Sequence, residues 1–145
     1  IIYTADEIRR SGRIRAIGFY VKSTDSGSRT IRIYLGTTDS TEYSTTTDYK
    51  TFTSYNFYNS VTLKVGWNIF PLSSSTFTYN GSSNLVIMVN DSTGSYNGST
   101  DFSVFSTGSK YQTAYLYSDS TSYDPSAQYT YYRASSKPML RLNFG

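Results

Sequence analysis

Asn84-Leu85-Val86-Ile87-Met88-Val89 is the stretch that decides the fold. It is short, apolar at odd and even positions alike, rich in β-branched residues, and followed by Asn90-Asp91-Ser92. Such a run reads as a central strand covered on both faces. A strand with two covered faces needs other elements on each side of it, so the chain must be layered.

Working outward, residues 13–21 (Arg-Ile-Arg-Ala-Ile-Gly-Phe-Tyr-Val) read as a long strand. Thr30-Ile31-Arg32-Ile33-Tyr34-Leu35 alternates cleanly and puts Ile31, Ile33 and Leu35 on one face. The small residues 23–28 between them form a turn. Residues 60–65 alternate again, with Val61, Leu63 and Val65 expected inward. Gly66-Trp67-Asn68 leads into Ile69-Phe70-Pro71-Leu72, and Pro71 has no N–H, so this strand lies at an edge or ends there. Residues 102–105, 111–117, 129–133 and 139–144 supply four more strands. Thr4-Ala5-Asp6-Glu7-Ile8 is the one helical turn, with Thr4 as cap and Glu7 three residues on. About nine or ten strands joined by polar turns predict an all-β protein. The expected architecture is an antiparallel two-sheet β-sandwich of jelly-roll type, one domain over residues 1–145.

Composition agrees and narrows the chemistry. The 145 residues include 16 Tyr, 8 Phe and 1 Trp, with no Cys and no His. Ser and Thr together are nearly a third of the chain, whereas Ala and Glu are scarce. Helix formers are too few for a helical protein, and Thr, Tyr, Phe, Val and Ile suit a pleated surface. Structural zinc, haem, iron–sulfur, thiol and Ser–His chemistry in their usual forms are excluded. The formal net charge of +3 is mild. Arg9, Arg10, Arg13 and Arg15 alternate with other residues as a solvated strand face does, and no basic stripe points to nucleic acid. No stretch approaches the roughly 20 apolar residues of a membrane span.

The residues resemble a known kind of module. The match is carried by residues 2–8 (Ile-Tyr-Thr-Ala-Asp-Glu-Ile), then Gly12-Arg13-Ile14 through Ile17-Gly18-Phe19-Tyr20, then Ile33-Tyr34-Leu35. Residues 66–72 (Gly-Trp-Asn-Ile-Phe-Pro-Leu), 77–85 (Phe-Thr-Tyr-Asn-Gly-Ser-Ser-Asn-Leu) and 91–95 (Asp-Ser-Thr-Gly-Ser) continue it. Together they look like the non-catalytic β-sandwich modules of secreted polysaccharide-degrading enzymes and surface adhesins of gut and rumen Bacteroidales-like bacteria. The resemblance covers about residues 1–110 and is made of strand and turn positions, so it implies a scaffold and a setting. It implies a module excised from a larger secreted or cell-surface bacterial protein, with a catalytic domain covalently linked. No binding residue carries over from it.

The candidate site therefore comes from the residues themselves. Two long connections, residues 37–59 and 119–137, are dense in Tyr, and loops of more than about 12–15 residues in a compact domain are usually functional or mobile. A sugar ring presents C–H groups that pack on an aromatic face, and hydroxyls that need paired donors and acceptors. Tyr serves both needs and has few rotors to immobilise. Tyr111, Tyr115 and Tyr117 fall on one strand face at period two, spaced about 6–7 Å apart. They either follow successive sugars or cap a core. Tyr129 and Tyr131 repeat the pattern nearby, joined by Arg133, with Tyr96 and Tyr123 reaching in from loops. Gln112 faces away from Tyr111. Trp67, between Gly66 and Asn68, is assigned to the core edge, and Tyr20, Tyr34 and Tyr79 to packing.

Catalysis has weaker support. A glycosidase needs two facing carboxyls, and Asp91, Asp101, Asp119 and Asp124 are the candidates by loop location, yet Asp here sits in turn contexts. The chain is read as non-catalytic. No cofactor is required. A structural calcium ion stays open, with Asp25, Asp39, Asp91, Asp101, Asp119 and Asp124 as oxygen donors but no dense D-x-D-x-D run. The expected function is binding of plant polysaccharide, β-glucan or xylan chains, to target an attached glycoside hydrolase. The alternative is a structural or adhesin spacer domain of a bacterial surface protein. The expected state is a monomer whose partner is a polysaccharide or oligosaccharide, with no nucleic acid.

Overall fold

The computed structural model describes residues 1–24, 27–72, 77–93, 100–118 and 122–145. These residues are nearly all β, in several antiparallel sheets. The strands are β1 (Ile2–Tyr3), β2 (Gly12–Ser23), β3 (Ser28–Thr38), β4 (Phe57–Thr62), β5 (Gly66–Pro71), β6 (Thr78–Tyr79) and β7 (Asn84–Asp91). They continue as β8 (Asp101–Phe102), β9 (Val104–Ser106), β10 (Thr113–Tyr115), β11 (Tyr132–Ala134), β12 (Ser136–Pro138) and β13 (Leu140–Phe144). One helical turn, α1 (Ala5–Ile8), follows β1. Its capping box is complete: Glu7 N donates to Thr4 Oγ1 at 3.3 Å, and Thr4 N donates to Glu7 Oε1 at 3.0 Å. Those two bonds satisfy donors that a helix start leaves open. Among the described residues no helix is long and apolar enough to cross a membrane.

The first sheet runs β1-β7-β3-β4. The second runs β13-β2-β5, with β6 and β8 pairing along other parts of β2. Ribbons β10–β11 and β12–β9 complete the ladders. One core lies between the two sheets. Ile31, Ile33 and Leu35 of β3 with Leu85 and Ile87 of β7 meet Ile17 and Phe19 of β2 and Phe70 of β5. Phe57 and Phe70 meet edge to face at 5.3 Å, and Phe19 and Phe102 at 6.3 Å, a favoured aromatic arrangement.

The apolar run of β7 is covered on both faces from Leu85 to Ile87, whereas Val89, expected to be covered too, is exposed. Leu85 and Ile87 enter the shared core, while Val86 and Met88 point to the opposite face. There a second cluster of Ile2, Tyr34, Tyr43, Phe52 and Val86 forms under residues 39–56. Gly36 makes this close approach feasible: a Cβ there would lie 3.1 Å from Phe52 Cε1 and 2.8 Å from Lys50 Cε. The second sheet thus covers one side of the first sheet, and residues 39–56 cover the part of the other side around Ile2, Tyr34 and Val86. Pro71 ends β5, which is an edge strand, so its missing N–H breaks no ladder.

Several boundaries differ from expectation. The strand expected at 60–65 is β4, which begins at Phe57 and leaves the sheet after Thr62. Leu63 is still buried, but Val65 is 62 % exposed in the turn before Gly66 rather than inward. Residues 102–105 divide into β8, on β2, and β9, on β12. The strands expected at 111–117 and 129–133 shorten to β10 and β11. The reason lies in the backbone: Tyr43 N donates to Tyr111 O at 2.7 Å, and Tyr131 N donates to Thr46 O at 2.8 Å. These groups pair with the 39–56 connection instead of with each other. Trp67 is not at the core edge. It lies on the outward face of the second sheet, edge to face with its cross-strand partner Tyr20 and beneath the Arg141 guanidinium at 4.5 Å.

Candidate functional site

Ribbon β10–β11 has two unlike faces. Its register pairs Thr113 with Ala134, Ala114 with Arg133 and Tyr115 with Tyr132. Side chains alternate across a strand, so Ala114 and Arg133 share the inner face. Ala114 packs on the cluster of Tyr34, Tyr43 and Val86. Arg133 Nη1 donates to the carbonyls of Tyr43 and Ser44, both at 3.0 Å, and its guanidinium covers the Tyr111 ring at 4.4 Å.

The outer face carries Tyr115 and Tyr132, joined by Tyr117. Their centroids are 5.5 Å apart for Tyr115–Tyr132, 5.8 Å for Tyr117–Tyr132 and 6.5 Å for Tyr115–Tyr117. The ring planes lie within 18–28° of one another. The three are 43 %, 70 % and 56 % exposed for Tyr115, Tyr117 and Tyr132. Three near-parallel, stacked rings open to solvent form an exposed aromatic platform whose hydroxyls can both donate and accept.

Beside it a cleft of about 510 Å³ lies between the outer face of the first sheet and the two long connections. Tyr115 and Tyr117 border it, as do Tyr49, Tyr131, Asn90 and Lys50. Its volume is in the range of small-ligand sites. Tyr49 and Tyr131 meet with centroids 3.9 Å apart, and the Tyr49 hydroxyl accepts from Tyr129 N. Burial first, then the neighbouring Tyr49 and Tyr129, push the Tyr131 hydroxyl up to about 12. Burial likewise raises Tyr43 and Tyr34. These hydroxyls stay protonated at neutral pH and keep both hydrogen-bonding roles. Asn90 Nδ2 donates to Tyr123 O at 3.1 Å, tying the cleft wall to β7.

The residues singled out from the sequence divide among three places. Tyr115 and Tyr117 stand in the exposed platform. Tyr123, Tyr129 and Tyr131 build the connection beside the cleft, with Tyr123 and Tyr129 edge to face at 5.1 Å and the Tyr123 hydroxyl donating to Tyr117 O at 3.3 Å. Tyr111 and Arg133 form a separate pair whose guanidinium is committed to loop carbonyls. Tyr96 lies outside the described residues. Tyr132 completes the platform and was missed, because period two counted from Tyr129 and Tyr131 selects the wrong face. The signal was present as its neighbour: in Tyr131-Tyr132-Arg133 one of the two faces must carry Tyr132. Gln112 does face away from the tyrosines, into the protein, where it is buried.

Two of the candidate carboxyls, Asp91 and Asp124, are occupied locally. Asp91 pairs with Arg29 at 2.7 Å and accepts from Thr93 Oγ1 at 2.6 Å. The Ser126 backbone N–H and then its hydroxyl hold the Asp124 carboxyl below the usual range, the opposite of what a general acid needs. Among the described residues no three acidic, His or Cys side chains gather as a metal site. Asp25 and Asp119 lie outside the described residues. Comparison with models of known families, with curated proteins and with solved structures finds no match.

Proposed function

We propose that this chain is a non-catalytic carbohydrate-binding module with a jelly-roll arrangement of its sheets. The observation that carries this reading is the open platform of Tyr115, Tyr117 and Tyr132. Exposed rings held near-parallel give C–H faces of sugar rings a surface to pack on, while the hydroxyls at the rim meet the sugar hydroxyls. Scattered exposed aromatics need no explanation, but a contiguous cluster does. A spacer or adhesin domain using its tyrosines only for packing would bury them, so the platform favours binding. The cleft next to it, walled by further tyrosines and Asn90, gives the ligand a second contact.

In this reading the ligand is a plant polysaccharide, β-glucan or xylan, and the setting is a secreted or cell-surface bacterial protein like the modules the sequence resembles. Holding a glycan chain keeps an attached glycoside hydrolase at high effective concentration on insoluble substrate. The test is affinity electrophoresis through gels containing a panel of plant polysaccharides. Retardation by at least one glucan or xylan is expected. Migration unchanged in every gel would end the proposal.

A further inference from the structure

Lys137, in β12, is wholly buried. Its Nζ donates to Glu7 Oε1 at 2.6 Å, Gln112 Oε1 at 2.7 Å and Ile2 O at 2.9 Å. The Tyr3 ring centre is 4.8 Å away and the Phe105 ring centre 5.6 Å. A buried ammonium is costly even when paired, and burial lowers the lysine pKa despite the opposing pull of Glu7. Burial works to raise Glu7, but hydrogen bonds from Lys137 and Thr4 outweigh it and hold the carboxyl below its ordinary value. Glu7 is therefore ionised at neutral pH, and its Oε1 already accepts a hydrogen bond from the Lys137 ammonium, the geometry a proton transfer needs.

Gln112 is equally constrained. Its Nε2 donates to Thr41 O at 2.8 Å, so the amide cannot flip and Oε1 must face Lys137. With a C=O bond of about 1.23 Å, Gln112 Cδ lies within about 4 Å of Nζ. Reacting atoms in near-attack conformers are about 3–3.5 Å apart, so a small side-chain rotation closes the gap. The carbohydrate platform uses none of these three residues.

We propose that Lys137 and Gln112 join in an intramolecular isopeptide bond, with Glu7 relaying the protons. Glu7 takes one proton from the Lys137 ammonium. The freed Nζ lone pair attacks Gln112 Cδ, and the carbonyl opens to a tetrahedral intermediate. Glu7 passes its proton to Nε2 and takes the second proton from Nζ. The Cδ–Nε2 bond breaks, ammonia departs, and it carries the second proton away as ammonium. Nothing is oxidised or reduced, and one amide replaces another. The product removes a buried charge, and the surrounding Tyr3 and Phe105 rings exclude the water that would hydrolyse it. The bond would close the segment between residues 112 and 137, which holds the whole β10–β11 ribbon, and so would fasten the base of the tyrosine platform.

The decisive measurement is the intact mass of the full chain under denaturing conditions, followed by tandem mass spectrometry of its proteolytic peptides. The expected result is a chain lighter than its sequence by one ammonia, with a branched peptide linking Gln112 to Lys137. The variants Lys137→Met and Gln112→Leu should restore the sequence mass. A wild-type chain at full sequence mass overturns the proposal, whether or not either variant folds. So does an ammonia loss that maps to Asn80-Gly81 or Asn97-Gly98, where succinimide formation has the same mass. Because this readout is independent of glycan binding, its outcome and that of the electrophoresis are separate.

Discussion

Replacing Tyr132 with Ala separates the platform from every other arrangement of these tyrosines. Tyr132 is 56 % exposed. An aromatic side chain presents about 200 Å² in all, so about 110 Å² is open, and a sugar covering half of it would bury about 55 Å². At about 25 cal/mol per Å² that is about 1.4 kcal/mol, or a tenfold weaker Kd. Tyr117, 70 % exposed, gives by the same arithmetic about 1.8 kcal/mol and a roughly twentyfold loss. Tyr115 is 43 % exposed and should cost least of the three. Isothermal titration with an oligosaccharide of the glycan that retards the wild-type protein reads these differences, and far-ultraviolet circular dichroism checks that each variant folds. A Tyr132→Ala variant with wild-type affinity would refute the reasoning. So would a set of losses that ignored exposure, with Tyr117→Ala the mildest.

Other expectations follow from the same structure. Tyr111→Ala and Trp67→Ala should leave glycan affinity within twofold of wild type, since one ring lies under Arg133 and the other on the second sheet; a tenfold loss from either would move the site. Leu85→Ala removes a wholly buried side chain from β7 and should cost about 2–5 kcal/mol in urea denaturation; a loss under about 1 kcal/mol would contradict the core described above. Burial, the largest cause in each, raises the Tyr3, Tyr43 and Tyr131 hydroxyls above their usual range. An unfolded chain loses these protons near pH 10 and the folded chain only later. The folded state thus binds more protons above pH 10, and stability must fall as pH rises from about 10 to 12. A thermal midpoint that stays level across that window would exclude the burial of these hydroxyls.

Much of the scaffold was legible because local patterns and tertiary needs coincide there. The apolar run of β7 has two covered faces from Leu85 to Ile87, Thr4 and Glu7 close a capping box, and Pro71 falls where no ladder bond is needed. The site was only half legible. Tyr115 and Tyr117 follow from alternation, but Tyr132 does not, since nothing local says that Tyr131 N bonds to Thr46 O and turns Tyr131 toward Tyr49. A connection that packs back on the outer sheet face takes up the backbone groups of Tyr111 and Tyr131, and strand length then depends on residues far away in the chain, Tyr43 and Thr46. Arg133 reads as a free cation beside tyrosines, yet its partners are carbonyls of that same connection. Lys137 gives no sign of burial either, since Ser135-Ser136-Lys137-Pro138 looks like an exposed turn; its role depends on Glu7 and Gln112 arriving from elsewhere.

In the proposed function, sugar rings sit on the Tyr115–Tyr117–Tyr132 platform. Site-resolved nuclear magnetic resonance of the tyrosine ring protons, recorded while the oligosaccharide is titrated in, observes that contact directly. Saturable shifts are expected at Tyr115, Tyr117 and Tyr132, smaller ones at Tyr49 and Tyr131 in the cleft, and none at Tyr20 or Tyr79. Shifts centred on Tyr20 or Tyr111, with the three platform rings unmoved, would contradict that placement.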